Sequence, residues 1–136
     1  MHSKIGCITS AGVITEFGSV CEFCTVTDII QGPSDVLYYT SNNPVLGQTT
    51  TSGEILDPIE IPNSNVVAGN LAVHGEEIWF TDFNNDSLWR YDVVSEQFTR
   101  FDVLEPSDTV VDEAGLVWFT APLEPGIGGS TWRLAP

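Results

Sequence analysis

Basic residues are scarce in this sequence. Its 136 residues include four Lys and Arg against nineteen Asp and Glu, which gives a formal net charge of −15 at pH 7. A surface of this sign repels phosphate backbones and anionic lipid headgroups, so nucleic acid and membrane surfaces are not expected partners. The charge suits cationic ligands, metal ions or simple solubility. Because the acidic residues are scattered along the chain, a solvated acidic surface is the favoured interpretation.

Long apolar runs are also missing. No stretch reaches the roughly 18 apolar residues that indicate a membrane span. The first residues, 1–4, lead into a predicted strand rather than an apolar signal region. We therefore expect no secretory signal or transmembrane segment in this chain, and cytoplasmic and extracellular locations both stay open. The apolar fraction of 42% is nevertheless sufficient for a folded core.

Cysteine is limited to three residues. Cys21 and Cys24 form a CxxC pair, and Cys7 is left over. A zinc site needs a second pair, and a redox CxxC motif is expected on a βαβ scaffold, which this pattern does not indicate. Free structural thiols in a loop are the favoured interpretation. A disulfide, between Cys21 and Cys24 or between Cys7 and either of them, is the alternative in an oxidising compartment.

The segment 71–101 shows how the chain is organised. Four short runs rich in β-branched and aromatic residues are separated by clusters of Gly, Asn, Asp and Ser, which is the pattern of strands joined by turns. The predicted strands are 71–73, 77–81, 88–93 and 97–101, with a polar loop at 82–87.

This four-stranded unit recurs along the chain. Its second strand returns as YYT at 38–40, WFT at 79–81 and WFT at 118–120, about 40 residues apart. A period near 40 with four strands per unit is typical of a β-propeller blade, whose sheet must stack against neighbours to bury both faces. We predict an all-β chain of about three blades of four antiparallel strands. The predicted divisions are 1–25 (outer strands of a blade), 26–67 and 68–107 (complete blades) and 108–136 (three inner strands).

Three blades do not close a propeller ring. Propellers typically have about four to eight blades, and an open arc leaves two apolar faces and two sheet edges that invite pairing. The sequence therefore predicts one of two partners. Either missing blades of a longer chain complete the ring, or a homo-oligomer does so, with a dimer giving six blades.

The repeat motifs resemble those of the streptogramin B lyase (virginiamycin B lyase-like) propellers. The resemblance rests on SKIGCI at 3–8 with GVITEF at 12–17, GPSD at 32–35 and IWFTD at 78–82. It implies an elimination that opens a cyclic depsipeptide at its ester linkage, assisted by Mg²⁺, which polarises the carbonyl so that a base can remove the neighbouring proton. The family places a Glu directly after WFT in its active blades, with a His close by. Here those positions hold Ser41, Asp82 and Ala121.

Polar residues at 82–86 form the candidate metal site. Asp82, Asn84 and Asp86 offer oxygen ligands of the kind that Mg²⁺ or Ca²⁺ prefers. Loops between second and third strands lie on the face of a propeller where ligands usually bind, so Asn85 is assigned to a ligand face with them. The alternative is that these side chains only satisfy turn backbone groups. Asn42 and Asn43 hold the same position one blade earlier and carry the same two interpretations.

Other tempting residues have simpler interpretations. His74 is expected to be a surface turn residue on the face opposite Asp82, and His2 lies near the ligand face at the start of the chain. Gly126–Gly129 lacks the Lys and helix of a phosphate loop, so a flexible loop is expected there. The recurring aromatic residues are expected to form the core between blades rather than a stacking platform for a ligand: Trp79, Phe80, Trp89, Trp118, Phe119 and Trp132.

Two functions follow from the sequence. The first is a segment of a lyase-like propeller whose metal and substrate site is completed by blades outside this chain, with Asp82 as a contributor. The second is a non-catalytic binding or self-assembly module that holds a small molecule on its acidic loop face.

Overall fold

The computed structural model describes residues 2–122 and 130–134, with side chains described for 2–122. The predicted all-β architecture is confirmed: within these residues the chain forms thirteen strands, two short 3-10 turns (Pro33–Asp35 and Phe83–Asn85) and no α-helix. The strands are β1 (His2–Ile8), β2 (Ile14–Glu22), β3 (Val26–Gln31), β4 (Val36–Ser41), β5 (Val45–Thr50), β6 (Ile55–Glu60), β7 (Leu71–His74), β8 (Glu77–Asp82), β9 (Ser87–Asp92), β10 (Gln97–Asp102), β11 (Thr109–Val111), β12 (Val117–Ala121) and β13 (Ser130–Leu134).

The strands form four separate antiparallel sheets, each ordered as a simple meander. The first sheet has β1 and β2, the second β3 to β6, the third β7 to β10, and the last β11 to β13. The second and third sheets are complete four-stranded blades, as the repeat predicts. Pro58 lies in β6, the edge strand of its sheet, where the missing backbone N–H disturbs no ladder.

Strand bounds differ from the prediction at the candidate loop. In the first sheet, β2 begins within the GVITEF motif at 12–17 and continues to Glu22, past two irregularities in its pairing with β1. Asp82 and Ser87 are opposite each other as the last pair of β8 and β9. The polar loop is therefore 83–86, shorter than the predicted 82–87, since pairing of the two strands continues one residue further at each end.

Two apolar clusters hold the sheets together face to face. The first joins the second and third sheets through Tyr38, Leu71 and Phe80, with Ile30 packed against them. The second joins the third and last sheets through Ala72, Trp79 and Phe119. The prediction of an inter-blade aromatic core is confirmed for Trp79, Phe80, Trp89 and Phe119, whereas Trp118 is half-buried and the Trp132 side chain lies outside the described residues.

The two aromatic residues of each motif point in opposite directions. Successive side chains of a strand alternate between sheet faces, so Trp79 faces the following sheet while Phe80 faces the preceding one. Phe80 stacks on Trp89 with 6.2 Å between ring centroids. At Gly47 in β5, a Cβ would overlap the ring of Tyr39, which requires glycine beneath that ring. Burial raises the pKa of Tyr38 and Tyr39, so both phenols are neutral in this core.

Replacing Phe80 by Ala should test the inter-sheet core. Phe80 is completely buried, so the variant loses its contacts on both sheets and leaves a cavity, and the free energy of unfolding should fall by about 3–5 kcal/mol. Urea unfolding followed by tryptophan fluorescence measures this change. Phe23→Ala is the matched control, because Phe23 is 80% exposed. Equal losses in the two variants would contradict the packing described here.

Candidate functional site

The candidate site is the 83–86 loop between β8 and β9. A 3-10 turn over Phe83–Asn85 reverses the chain, and Asp86 follows in the left-handed region with φ 49° and ψ 52°. Asp tolerates this conformation better than most residues because its short side chain can hydrogen-bond nearby backbone. The turn is short, so the side chains at its two ends are fixed by the paired strands beneath them.

Asp82 is buried within this site. Its side chain is fully enclosed, and both carboxylate oxygens accept hydrogen bonds. Asn85 Nδ2 donates to both oxygens at 3.0 Å, Ser87 Oγ donates to Oδ2 at 3.4 Å, and the Val67 backbone N–H donates to Oδ1 at 3.4 Å. A buried carboxylate needs such donors, because an unpaired buried charge is costly. Asp82 therefore fastens the loop and the preceding connection to the end of β8.

Asn85 extends this network to the neighbouring connection. Its Nδ2 also donates to the Asn65 backbone carbonyl at 2.8 Å. All three acceptors of this nitrogen are oxygens, which fixes the amide orientation. The orientation places an N–H donor, rather than a ligand oxygen, against the Asp82 carboxylate.

Asn84 and Asp86 do not converge on Asp82. Asn84 is exposed, and Asp86 is exposed with its Oδ1 accepting the Glu105 backbone N–H at 2.9 Å. Over the described residues, no group of three or more His, Cys, Asp or Glu side chains is placed to hold a metal ion. The described residues around Asp82 thus do not fit a Mg²⁺ site. The geometry agrees instead with the alternative that these side chains satisfy hydrogen-bonding groups of the turn. Mg²⁺ as a cofactor rests on the resemblance alone and stays a prediction.

The second sheet has a similar set of hydrogen bonds between its loop and the connection that enters it. Asn42 Oδ1 accepts the Thr25 backbone N–H at 2.8 Å, and the Asn42 N–H donates to the Thr25 carbonyl at 3.2 Å. Asn43 N–H donates to Ser41 Oγ at 3.2 Å. The structure therefore brings Asn42 and Asn85 into similar roles, each binding its loop to the connection that enters its own sheet. The role of Asn65 and Val67 is not visible in the sequence, since nothing in the local pattern marks a connection as a partner of the loop.

The histidines lie away from Asp82. His74 is exposed at the other end of its sheet, paired with Glu77 across the β7–β8 turn. Asp82 lies five residues beyond Glu77 along β8, which corresponds to about 17 Å at the rise of a strand. His2 is exposed in the first sheet, with Nδ1 3.4 Å from Ser19 Oγ. Neither histidine forms an acid–base pair with Asp82 in this chain.

The cysteine pair differs from the favoured interpretation. Cys21 and Cys24 form a disulfide with Cα atoms 5.9 Å apart, so free thiols were the wrong choice for this pair. The chain bends between them at Phe23, whose φ of 57° brings the two ends together. Cys7 is free and exposed.

Comparison with known proteins shows which solved structures share this fold. No family model matches the chain, and neither does any curated protein sequence. Solved structures do match: virginiamycin B lyase from Staphylococcus aureus has a TM-score of 0.75 at 22% identity, over 97% of this chain and 48% of that one. A catalytically inactive variant of that lyase with quinupristin gives the same score over 98% of this chain. A streptogramin B lyase structure gives 0.76 at 25% identity, covering 85% of this chain and 40% of that one.

These matches confirm that the chain is similar in fold to the family that its motifs resemble. The chain spans about half the length of the virginiamycin B lyase structures it matches. In the described residues, no helix is both long and apolar enough to cross a membrane. The chain is thus a partial β-propeller of about three blades, similar in structure to the streptogramin B lyases.

Replacing Asp82 by Asn should reveal its structural role. The new amide keeps one acceptor oxygen and replaces the other by an NH2 donor. That donor faces the Asn85 Nδ2 donor, and turning the Asn85 amide over to accept it would remove the donor to Asn65. The loss of hydrogen bonds should lower the free energy of unfolding by about 1–3 kcal/mol. Urea unfolding measures it, with Asn84→Ala in the same loop as the matched control. If the two variants were equally stable, Asp82 would be free for another task.

Proposed function

We propose that this chain is a binding and assembly module built from an incomplete β-propeller, with no acid–base pair around Asp82 in the described residues. The observation that carries the proposal is the enclosure of Asp82. It is the one carboxylate at the positions following the three aromatic motifs, and its oxygens already accept hydrogen bonds from Asn85, Ser87 and Val67. A general base must reach the proton that it removes, and Asp82 has no exposed surface from which to do so.

The loop end of the sheets is the proposed ligand face. Asn42, Asn84 and Asp86 are exposed there, on turns that paired strands hold in place. Amide side chains offer both donors and acceptors, and the net charge of −15 favours cationic over anionic groups. The ligand class that fits is a small polar or cationic molecule held by hydrogen bonds.

The second candidate function is that of a lyase segment. Its support is the match to three streptogramin B lyase structures at TM-scores of 0.75 and 0.76. A fold does not by itself carry an activity, and this chain covers less than half of each of those chains. In this candidate the catalytic groups belong to blades outside the chain, and the described sheets provide a scaffold for the ring.

Incubating the chain with quinupristin and Mg²⁺ tests whether the chain by itself is catalytic. We expect no ring-opened product above the uncatalysed background, because Asp82 is enclosed and neither histidine lies beside it. Mass spectrometry detects opening of the depsipeptide, and the Staphylococcus aureus lyase assayed in parallel shows that the substrate is competent. If the chain opens the depsipeptide and the Asp82→Asn variant does so too, catalysis belongs to other residues. If the substitution removes the activity, the structural role given to Asp82 is wrong.

A further inference from the structure

The connection between the first and second sheets is closed by a disulfide. Cys21 lies one residue before the end of β2 and Cys24 lies two residues before β3, so the bridge spans a short bend. Cys24 is 2% exposed and Cys21 is half-buried. The corresponding connections at 61–70 and 103–108 contain no cysteine. The bridge is therefore a feature of this one connection and is not part of the repeat.

Phe23, between the two cysteines, has a strained backbone. Its φ of 57° lies in the left-handed region, which bulky L residues rarely adopt. Every other non-glycine residue with positive φ in the described part of the chain is Ser, Asp or Glu. The side chain of Phe23 is 80% exposed, so packing of the ring does not hold this conformation. A strained residue persists where its surroundings fix it, and here the disulfide fixes both ends of the bend.

Hydrogen bonds join the same bend to both sheets. Ser3 Oγ in β1 donates to the Cys24 carbonyl at 2.7 Å. The Thr25 N–H donates to Asn42 Oδ1 at 2.8 Å, and the Asn42 N–H donates to the Thr25 carbonyl at 3.2 Å. Asn42 is exposed on the proposed ligand face. A change in the bend therefore reaches this face through the pair of hydrogen bonds between Thr25 and Asn42.

From these contacts we infer that the Cys21–Cys24 disulfide is a redox-sensitive clasp. In the oxidised chain it holds the bend in the conformation that bonds Thr25 to the Asn42 loop. When the bridge is reduced, Phe23 leaves the left-handed region, the two ends of the bend separate, and the bonds between Thr25 and Asn42 weaken. The redox state then controls how firmly the Asn42 loop is held on the proposed ligand face. In that respect the inference rests on the proposed function.

A dithiol reductant opens the clasp in two exchange steps. Its first thiolate attacks the sulfur of Cys21, the less buried of the two cysteines, and forms a mixed disulfide while Cys24 leaves as a thiolate. Its second thiolate attacks the mixed disulfide and releases Cys21. Both cysteines take up a proton, and the reductant becomes a cyclic disulfide. Two electrons and two protons thus pass from the dithiol to the protein.

The effect of reduction stays local, because the first and second sheets also touch outside the bend. The ring of Phe17 in β2 lies against Gly53, where a Cβ would be 2.0 Å from the ring. Tyr39 Oη donates to the Val20 carbonyl at 3.5 Å. Neither contact involves the residues between the two cysteines. The first sheet therefore stays packed on the second when the clasp opens.

Amide hydrogen exchange measured by NMR tests the clasp, with Cys7→Ser in every sample to remove the exposed free thiol. Excess dithiothreitol should make exchange at the Thr25 and Asn42 amides about tenfold faster, because their hydrogen bonds open more often. The Glu105 amide is the internal control. It donates to Asp86 Oδ1 at 2.9 Å in a connection without cysteine, so its exchange should not change. The double variant Cys21→Ser with Cys24→Ser should reproduce the reduced chain without reductant.

Replacing Phe23 by Asn separates backbone strain from cross-linking. Asn tolerates the left-handed region, so the bend should persist after reduction, and exchange at Thr25 should rise much less than in the chain with Phe23. Phe23→Ala is the matched control, because Ala also lacks the ring but keeps the strain. It should respond to dithiothreitol as the chain with Phe23 does. Circular dichroism checks that each variant is folded.

Faster exchange at Thr25 and Asn42 on reduction, with Glu105 unchanged and a smaller response in Phe23→Asn, supports the clasp. A bridge that resists excess dithiothreitol overturns it, as does unchanged exchange after the bridge has opened. Equally faster exchange at Glu105 also overturns it, because the disulfide would then stabilise the whole chain. Equal responses of the Asn and Ala variants overturn the role given to strain at Phe23. These measurements use no ligand, so a failed clasp leaves the proposed binding function standing, whereas turnover of quinupristin by this chain would overturn that function and leave the clasp.

Discussion

Every sheet of this protein needs a neighbour on each face. The cause is the alternation of side chains along the second strand of each blade, where one aromatic residue faces the following sheet and the next faces the preceding sheet. The third sheet, β7 to β10, has both neighbours, and the largest fully buried side chains belong mainly to it: Trp79, Phe80, Ile78 and Leu88. In the described residues, the first and last sheets each pack against one. The pattern of buried and exposed side chains follows from this single requirement.

The architecture could be predicted from the sequence because the repeat consists of local patterns. Strand alternation, turn residues and the 40-residue spacing of the aromatic motifs each act within a few residues, so the strand order and the aromatic core could be predicted. The candidate site could not be. Asp82 is polar and precedes a turn, which locally indicates exposure, but the Val67 N–H and the Asn85 amide, oriented by Asn65, enclose it. The cysteine pair shows the same limit, because CxxC spacing does not reveal how Phe23 bends the chain.

The fold alone does not assign a chemistry to this molecule. The backbone follows the lyase propellers closely over nearly its whole length, yet the position after the WFT motif at 79–81 serves as a buried anchor. A carboxylate that holds a loop and one that removes a proton can occupy the same place in a strand. Their difference lies in which donors surround them and in whether solvent reaches them.

The side-chain amides of Asn42 and Asn85 have a consequence for how such a protein can diverge. Each amide joins an exposed loop to the connection that brings the chain into the same blade. A substitution of either amide therefore alters the entry of the chain as well as the proposed ligand face. At these two positions, a change in the proposed ligand face is therefore accompanied by a change in blade geometry. Exposed neighbours such as Asn84 can be substituted more freely, because no hydrogen bond joins the Asn84 side chain to a connection.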